Sequence, residues 1–428
     1  MPSRYFSHFV CAMAASAYFI SARAHAHACS LITRTNVVPC ALAQSIDTKS
    51  EREGLAAAQG RRQAASTLLP SNPSVSLSAG LPVGYKLSSN ALTWGVTIAQ
   101  ELEIGGQRGR RIDVANAQRS VQERRVLARA REVGRESLNA YFDALAAREQ
   151  SVLARKLGVV AGALSTYARS RAEVGLASAV ESGVAQAEAV RLSRLALEAE
   201  LQLKEALASL TSALGQDPTL ASVEVDGDLE PLKIDDRPMD RLLSGAIAAR
   251  ADVQAAIAEN EVAARRGALL RAERVPNPTL SLSYRKDWIA ERVVGVGLSL
   301  PLPLPAPLGR TLAGEINEAD ALTRRAQWAT QKLRRDIRLE VVNAKVAFDL
   351  RKSELALFTL ESIIQAEAGV DAIGEALREQ KIAIRDALLS EQALVQLLRD
   401  YIEARHQLCL ASVELAHATG LAVERGVQ

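Results

Sequence analysis

Few residues of this sequence have the type and spacing that chemistry requires. His25, His27 and Cys29 lie close enough together to resemble a set of metal ligands. They follow a short apolar stretch near the N-terminus, however, in the zone where a secretory leader is cleaved. The later histidines, His406 and His417, fall on one helical stretch with no nucleophile or acidic partner in view. We therefore predict no metal site, no active site and no cofactor in the mature chain.

The composition excludes several classes of protein. The chain has 428 residues, with 48% hydrophobic residues, 24% charged residues and a formal net charge of +3. Basic and acidic residues are interspersed, so no patch indicates nucleic-acid binding. Aromatic residues make up only 4% of the chain, too few for an aromatic-lined substrate pocket. No apolar run beyond the N-terminus reaches the roughly 18 residues of a membrane-spanning helix, which excludes an inner-membrane transporter.

The N-terminus has the features of a secretory leader. Arg4 and His8 precede an apolar run over residues 9–20, and small residues follow it up to Ala28. We predict a signal peptide over residues 1–28, and cleavage as late as residue 43 is an open alternative.

The cysteines predict no disulfide framework. Cys11 leaves with the leader, and Cys29 and Cys40 leave with it if cleavage is late, so that Cys409 is then alone. Ala28-Cys29 also resembles a lipoprotein site, although Ala26 stands where such sites usually have Leu.

The chain contains an internal duplication. Residues 72–78 (Asn-Pro-Ser-Val-Ser-Leu-Ser) recur as residues 277–283 (Asn-Pro-Thr-Leu-Ser-Leu-Ser), and Leu-x-x-Ala-x-Gly at 210–215 recurs at 415–420. Both matches have an offset of 205 residues, and agreement at both ends argues against chance.

This duplication sets the predicted domain boundaries. They are a first repeat over residues 44–217, a linker over 218–239, a second repeat over 240–420 and a C-terminal tail over 421–428. The helix predicted from Asp240 to Arg274 should have a counterpart near residues 35–69. Only Leu55 to Leu68 have a helical pattern there, and Asn36 to Thr48 do not.

Each repeat opens with two stretches of period-two alternation. One set of alternate positions is apolar and the other is mostly Ser, Thr and Gly, which is typical of strands with one apolar and one polar face. Aromatic residues lie near the strand ends, as they do in transmembrane barrels: Tyr85, Trp94, Tyr284 and Trp288. This pattern alone leaves a half-buried soluble sheet and a transmembrane barrel equally open.

Long helices follow each pair of strands. Residues 83–217 and 308–428 contain no proline, and apolar residues with 3-4 spacing run along residues 189–213 and 394–418 as in a coiled coil. A helix of about 60 residues extends roughly 90 Å, so these elements cannot form one compact ball. Four strands cannot close a barrel in lipid, so several chains must share one. Three chains would supply twelve strands.

With these features, the sequence resembles the TolC family of outer-membrane efflux channels and, within it, the CzcC-like heavy-metal branch. The resemblance covers about Ala56 to Gly420. It is carried by the duplicated Asn-Pro-[Ser/Thr] hairpins, by the Gly-rich turn in residues 101–110 (ELEIGGQRGR) and by residues 250–256 (RADVQAA), which precede the second hairpin.

The resemblance implies a mainly α fold with a small β part. Long coiled-coil helices would form a periplasmic α-barrel, and four strands per chain would join a shared 12-stranded transmembrane β-barrel in a homotrimer. The implied partners are a periplasmic adaptor (membrane fusion) protein, an inner-membrane transporter of the resistance-nodulation-division (RND) class and outer-membrane lipid, with no nucleic acid.

The resemblance also implies the functional residues. Helix-hairpin tips would contact the adaptor, and on this chain they are Val174, Gly175, Leu176 and Ala177 in the first repeat and Gln380, Lys381 and Ile382 in the second. Gln380 stands where the family motif has glycine. Some relatives narrow the periplasmic entrance with two aspartates beyond the second tip; Asp386 matches the first, Leu389 occupies the second position, and Glu181 is the repeat equivalent of Asp386.

We therefore expect an outer-membrane channel of a tripartite efflux system, a passive exit duct for divalent heavy-metal cations and not an enzyme. Two alternatives stay open. One is a channel for multidrug efflux or type I secretion, since the tube itself does not select the cargo. The other is a periplasmic coiled-coil adaptor or scaffold without a pore, which explains the leader and the heptads but not the two strand hairpins.

Overall fold

The computed structural model describes residues 29–81, 92–234, 237–287, 291–304, 307, 309, 311–378 and 384–421. The predicted signal peptide, Tyr85, Trp288, the second predicted tip (Gln380, Lys381 and Ile382) and the end of the predicted tail lie outside these ranges. Backbone contacts divide the chain into two units. Unit 1 consists of the described parts of Met1–Lys49, Arg129–Arg250 and Asp336–Gln428, and unit 2 of those of Ser50–Ala128 and Ala251–Arg335.

The chain is mainly helical with a small β part. In chain order, the elements are β1 (Leu31–Ile32), α1 (Val37–Gln44), α2 (Ile46–Ala65), β2 (Ser74–Gly80), β3 (Thr93–Glu101), α3 (Gln107–Glu173), α4 (Ala179–Ala213), β4 (Glu224–Val225), α5 (Met239–Ala249), α6 (Ala251–Ala272), β5 (Thr279–Lys286), β6 (Arg292–Ser299), α7 (Ala313–Leu355), α8 (Leu360–Arg378) and α9 (Ile384–Thr419). Among the described residues, no helix combines the length and the apolar character needed to cross a membrane.

Unit 2 contains a four-stranded antiparallel sheet in the order β2-β3-β5-β6. The register aligns apolar side chains across the strands, as in the ladder formed by Val75, Ile98, Leu282 and Val296. Small and polar residues form the alternate rows, for example Ser76, Thr97, Ser283 and Gly295. The two faces predicted from the period-two pattern are therefore present, and much of the apolar face is exposed, including Leu77 at 79% and Val296 at 75%.

The Gly-rich turn between β3 and α3 is held by Gln107, which is only 2% exposed. Its side-chain oxygen accepts a hydrogen bond from the Gly105 amide, and its side-chain nitrogen donates to the Val275 carbonyl and to Asn277 Oδ1. Asn277 in turn donates to Glu101. The turn of the first repeat is thus joined to the Asn-Pro motif of the second, because a buried amide needs partners for both its donor and its acceptor.

The core of unit 1 is built around the middle of α3. Tyr141 and Phe142 are fully buried there, and β1 pairs in parallel with β4 beside them. Tyr141 donates to the Asp226 carbonyl at 2.8 Å, and Arg148 donates to the Val225 and Gly227 carbonyls at 2.7 and 2.6 Å. Residues 223–232, within the segment predicted as the linker, therefore pack as part of this core.

Cys29 and Cys40 form a disulfide with a Cα–Cα distance of 5.9 Å, so the expectation of no disulfide was wrong. Both cysteines are buried in the unit 1 core together with Ile32, Val37 and Ala41. Cleavage as late as residue 43 would remove this whole set from the core. A disulfide-bonded Cys29 has no thiol to accept a lipid.

The helices of the two repeats break at equivalent positions. The first break, at Ser45, separates α1 from α2, and the second, at Arg250, separates α5 from α6, again 205 residues apart. The expectation that Asn36 to Thr48 is not helical was therefore wrong, and the helix predicted from Asp240 to Arg274 is two helices. α1 tolerates Pro39 because it lies in the first turn, where a missing N–H costs no helical hydrogen bond.

The predicted apolar seams on α4 and α9 face inward. Leu192, Ala199 and Leu210 are buried on α4, and Ala404, Leu408, Leu415 and Ala418 are buried on α9. The long helices differ between the repeats, since α3 is continuous whereas its counterpart is interrupted between α7 and α8.

Candidate functional site

The first predicted tip is a tight turn between α3 and α4. The Leu176 amide donates to the Arg171 carbonyl at 2.8 Å and the Gly175 amide donates to the Ala172 carbonyl at 3.1 Å, which is the Schellman pattern that ends many helices. This turn needs a left-handed residue, and Gly175 supplies it with φ of +74°.

A capping box starts α4 two residues later. Ser178 Oγ accepts a hydrogen bond from the Glu181 amide at 3.1 Å, and Glu181 Oε2 accepts one from the Ser178 amide at 2.8 Å. The hydrogen bond from the Ser178 backbone lowers the pKa of Glu181, and the bond to the Ser178 side chain adds to this effect. Glu181, predicted at the periplasmic constriction, thus has a local role in closing the hairpin.

Arg171 braces the turn from inside the hairpin. Its NH1 group donates to Tyr167 Oη at 3.0 Å, its NH2 group lies 3.4 Å from the Leu176 carbonyl, and the guanidinium sits 5.7 Å from the centre of the Tyr167 ring. The backbone of the tip is therefore held by a glycine, a cap and an arginine.

The side chains of this rigid turn point to solvent. Val174 is 68% exposed and Leu176 is 64% exposed, and Val180 continues the apolar surface at 75%. Ala177 instead packs against an apolar cluster inside the hairpin, beside Ala168 and Ala185. We call Val174, Leu176 and Val180 the tip surface. It carries no catalytic group and is suited to hydrophobic contact with another protein.

The second predicted tip falls between α8 and α9. The structure describes α8 up to Arg378 and α9 from Ile384, and the predicted tip residues between them lie outside the described ranges. Asp386 lies exposed in the first turn of α9, with its Oδ1 atom 3.7 Å from Nε of Arg385.

Each late histidine has an acidic partner that sequence reasoning missed. His406 Nε2 lies 2.8 Å from Asp143 Oδ1, and His417 Nε2 lies 3.5 Å from Glu132 Oε2. Burial lowers the pKa of His417. The partners are on α3, more than 260 residues away in sequence for each histidine, and no local spacing could have indicated them.

These pairs lack the rest of an active site. The buried thiol of Cys409 has its pKa raised to about 12 by burial, which makes it a poor nucleophile. Among the described residues, no group of three or more His, Cys, Asp or Glu side chains could hold a metal ion. The described geometry in unit 1 therefore shows histidine–carboxylate contacts that join α3 to α9.

The fold is that of bacterial outer-membrane channels. The CmeC outer membrane channel of Campylobacter jejuni superposes with a TM-score of 0.73, covering 90% of this chain and 85% of that one at 15% identity. The family model described as outer membrane efflux protein matches residues 37–216.

Two curated proteins are similar in sequence. Protein CyaE of Bordetella pertussis (strain Tohama I) is 29% identical over 226 residues, which are 51% of this chain and 47% of CyaE. The cobalt-zinc-cadmium resistance protein CzcC of Cupriavidus metallidurans is 30% identical over 207 residues, 46% of this chain and 47% of CzcC. The chain thus spans about half the length of the curated relatives it matches.

This chain is thus similar to the outer membrane efflux protein family over residues 37–216, in agreement with the predicted resemblance to the TolC family. Its similarity to CzcC supports a place near the CzcC-like branch, as also predicted.

Proposed function

We propose that this chain is the outer-membrane component of a tripartite efflux system and acts as a passive exit duct. The observation that carries the proposal is the match to the fold of an outer-membrane channel over 90% of the chain. In this arrangement three chains share one twelve-stranded barrel. The exposed apolar face of the β2-β3-β5-β6 sheet meets lipid, and the helices lie in the periplasm. The duct is not an enzyme and takes its energy from a partner.

The partners in this proposal are a periplasmic adaptor and an inner-membrane RND transporter. The tip surface supports an adaptor contact because its apolar side chains are exposed on a backbone that hydrogen bonds hold in place. A rigid apolar patch loses little conformational entropy when it docks.

This contact is tested by a double variant, Val174→Glu and Leu176→Glu. Both side chains are exposed, so we expect wild-type amounts of protein in the outer membrane but loss of efflux-dependent resistance. Leu220→Glu is the matched control, since Leu220 is 86% exposed and lies in the turn after α4. Resistance at the wild-type level in the double variant would contradict the proposed contact.

The cargo in this proposal is divalent heavy-metal cations. The name of CzcC supports it, and no ligand cluster on this chain is needed because a wide duct does not select its cargo. The alternative is a duct for drugs or for secreted protein.

Growth of a deletion strain tests the cargo. The strain would be grown on graded zinc, cobalt, cadmium and copper, with hydrophobic drugs as a parallel series. We expect selective metal sensitivity that the intact gene restores. Drug sensitivity with normal metal tolerance would keep the duct and overturn the metal cargo.

Asp386 is proposed to form a ring of three carboxylates that narrows the periplasmic entrance and attracts cations. Its exposure in the first turn of α9 supports this role. Asp386→Asn should therefore lower single-channel cation conductance, whereas Glu181→Gln should change it little, because the Glu181 carboxylate is engaged in the capping box. Unchanged conductance in Asp386→Asn would remove the ring from the account.

A further inference from the structure

Two glutamates from different repeats meet in the interior of unit 1. Glu391 on α9 has no exposed surface, and neither of its carboxylate oxygens has a hydrogen-bond partner. Glu188 on α4 is 7% exposed and acts on Glu391 as a neighbouring negative charge. A buried carboxylate without a partner is costly and calls for a functional reason.

The charge of Glu188 is already neutralised. Arg191, one turn further along α4, places Nε 3.0 and 2.9 Å from the two oxygens of Glu188 and NH2 2.5 Å from Oε1. The side chain of Arg191 is 47% exposed, so this pair reaches solvent. Glu391, unlike Glu188, has neither a cation nor a hydrogen-bond donor of its own.

Apolar clusters lie on both sides of the glutamates along the helices. Towards the tip, Ala185 of α4 and Ala387 of α9 pack with Leu164 and Ala168 of α3 and Ile373 of α8. Away from the tip, Leu192 of α4 and Val395 of α9 belong to a second cluster, which α3 and α8 complete with Leu157, Ala161, Ile363, Ala366 and Val370. The described side chains that α3 and α8 contribute to these clusters are uncharged, so the charged groups that act on Glu391 are Glu188 and Arg191 of α4.

The pKa of Glu391 is raised to about 7. Burial is the main cause, the negative charge of Glu188 adds to it, and the positive charge of Arg191 opposes both. When the pKa of a carboxyl group is raised in the folded state, the group stabilises that state most at pH values below its ordinary pKa. This contribution is lost as the pH rises through the raised value. The packing around Glu391 should therefore weaken between about pH 5 and pH 8 and not in acid.

We propose that Glu391 and Glu188 form a proton-operated latch between α4 and α9. When Glu391 carries a proton it is neutral, and Arg191 balances the charge of Glu188. The apolar clusters on either side then pack closely. Without that proton, a second buried negative charge faces Glu188 and separates the helices near the tips. Two carboxylates, one of them taken by Arg191, offer too few ligands for a divalent cation, so the ligand of this site is a proton.

The latch rests on the helix packing of unit 1 and not on the proposed duct function. Its test is hydrogen exchange of the purified full-length protein, read by mass spectrometry on peptides from residues 385–398. After correction for the intrinsic pH dependence of exchange, we expect protection in the wild type to fall about tenfold between pH 6 and pH 8. Glu391→Gln, which keeps the shape and removes the titration, should abolish this fall. Glu205→Gln, an exposed glutamate of α4, should keep it.

A second variant tests the pairing itself. Glu188→Gln removes the neighbouring negative charge and frees Arg191, so the midpoint of the transition should move to lower pH by about one unit or more. A wild-type chain with no fall in protection, a Glu391→Gln chain with an unchanged fall, or an unmoved midpoint in Glu188→Gln would each overturn the latch. None of these outcomes bears on metal resistance, so the latch and the duct can fail separately.

Discussion

Gly215 and Gly420 occupy equivalent positions in the two repeats, and each has φ of +75°. Gly215 lies against the Gln44–Ser45 backbone at the break between α1 and α2, and Gly420 lies against Ala249 and Arg250 at the break between α5 and α6. The ends of α4 and α9 are therefore fixed in the same way, with a left-handed glycine against a helix break.

The helices between these fixed points differ. The first repeat has one helix of 67 residues, α3, whereas the second has α7 and α8 with a break at residues 356–359. At this break Phe358 packs against Tyr401 of α9 with ring centres 5.8 Å apart. The segment before the first repeat has the Cys29–Cys40 disulfide, whereas the positions 205 residues further on are occupied by Ile234 and Gly245.

The two repeats differ where the fold tolerates change. A left-handed position packed against a helix break favours glycine, and both repeats have glycine there. A long helix that packs through side chains can be broken or continuous, provided that apolar residues still face the neighbouring helices.

Among the substitutions that compare the two repeats, Gly215→Ala should have the largest effect on stability. In Gly215→Ala, the new Cβ would lie 2.9 Å from the backbone C and O atoms of Gln44 in a left-handed conformation. We expect a loss of about 3 kcal/mol in the free energy of unfolding. Gly420→Ala should cost about 1.5 kcal/mol, because its Cβ would first meet side-chain atoms at 3.2 and 3.3 Å. Thermal unfolding followed by circular dichroism would compare them, and equal losses would contradict the difference.

The Cys29–Cys40 disulfide should have the next largest effect on stability. Replacing Cys29 and Cys40 together by Ser should lower the free energy of unfolding by about 2 to 3 kcal/mol, since the crosslink restricts the unfolded chain. The measurement is thermal unfolding with and without reductant. Reductant should destabilise the wild type and leave the double variant unchanged. If reductant does not change the stability of the wild type, the disulfide is not formed.

Loss of the cap at the first tip should be smaller. Ser178→Ala should cost about 1 kcal/mol, because the Glu181 amide loses its acceptor. The pKa of Glu181 is lowered in the folded state, so its contribution is present above its ordinary pKa and is lost as the pH falls through the lowered value. Denaturant unfolding should therefore show a smaller difference between variant and wild type in acid than at neutral pH; a difference that grows in acid would count against the capping box.

The smallest effect should be a gain in stability at the start of α7. Leu312 has φ of +56°, whereas Gly106 holds the corresponding turn before α3 at +73°. Leu312→Gly relieves the left-handed strain and loses a half-buried side chain, so we expect a gain of about 0.5 kcal/mol. Gly106→Ala should instead lose about 1 kcal/mol. Denaturant unfolding of both variants checks this, and a loss in Leu312→Gly would show that the side-chain contacts outweigh the strain.

Local patterns explain which parts of the fold the sequence could predict. The strands and their two faces follow from period-two alternation, and the seams on α4 and α9 follow from 3-4 spacing. The Val-Gly-Leu tip was predicted from the resemblance to the TolC family and not from a local pattern, although Gly175 there takes the left-handed conformation that favours glycine at a helix C-terminus. The break before α8 also had a usable signal, since the Thr359 hydroxyl caps α8 by accepting from the Ser362 amide at 3.2 Å.

Other features depend on contacts between distant residues. The helix α1 was missed because Asn36 to Thr48 were read as having no helical pattern, and the disulfide was missed because Cys29 was placed in the leader zone. Glu391 meets Glu188 only after the two repeats pack together, and neither spacing nor residue type marks it as buried in the sequence. A buried charge in the middle of an amphipathic helix looks like any exposed glutamate until its neighbours are known.

The central claim is that several copies of this chain form one duct in the outer membrane. The most direct test is native mass spectrometry of the protein extracted from the outer-membrane fraction in mild detergent. The account predicts a complex of three chains, recovered from that fraction and absent from the salt wash. A single chain released by washing, or one retained at the inner membrane, would contradict the duct and favour the scaffold.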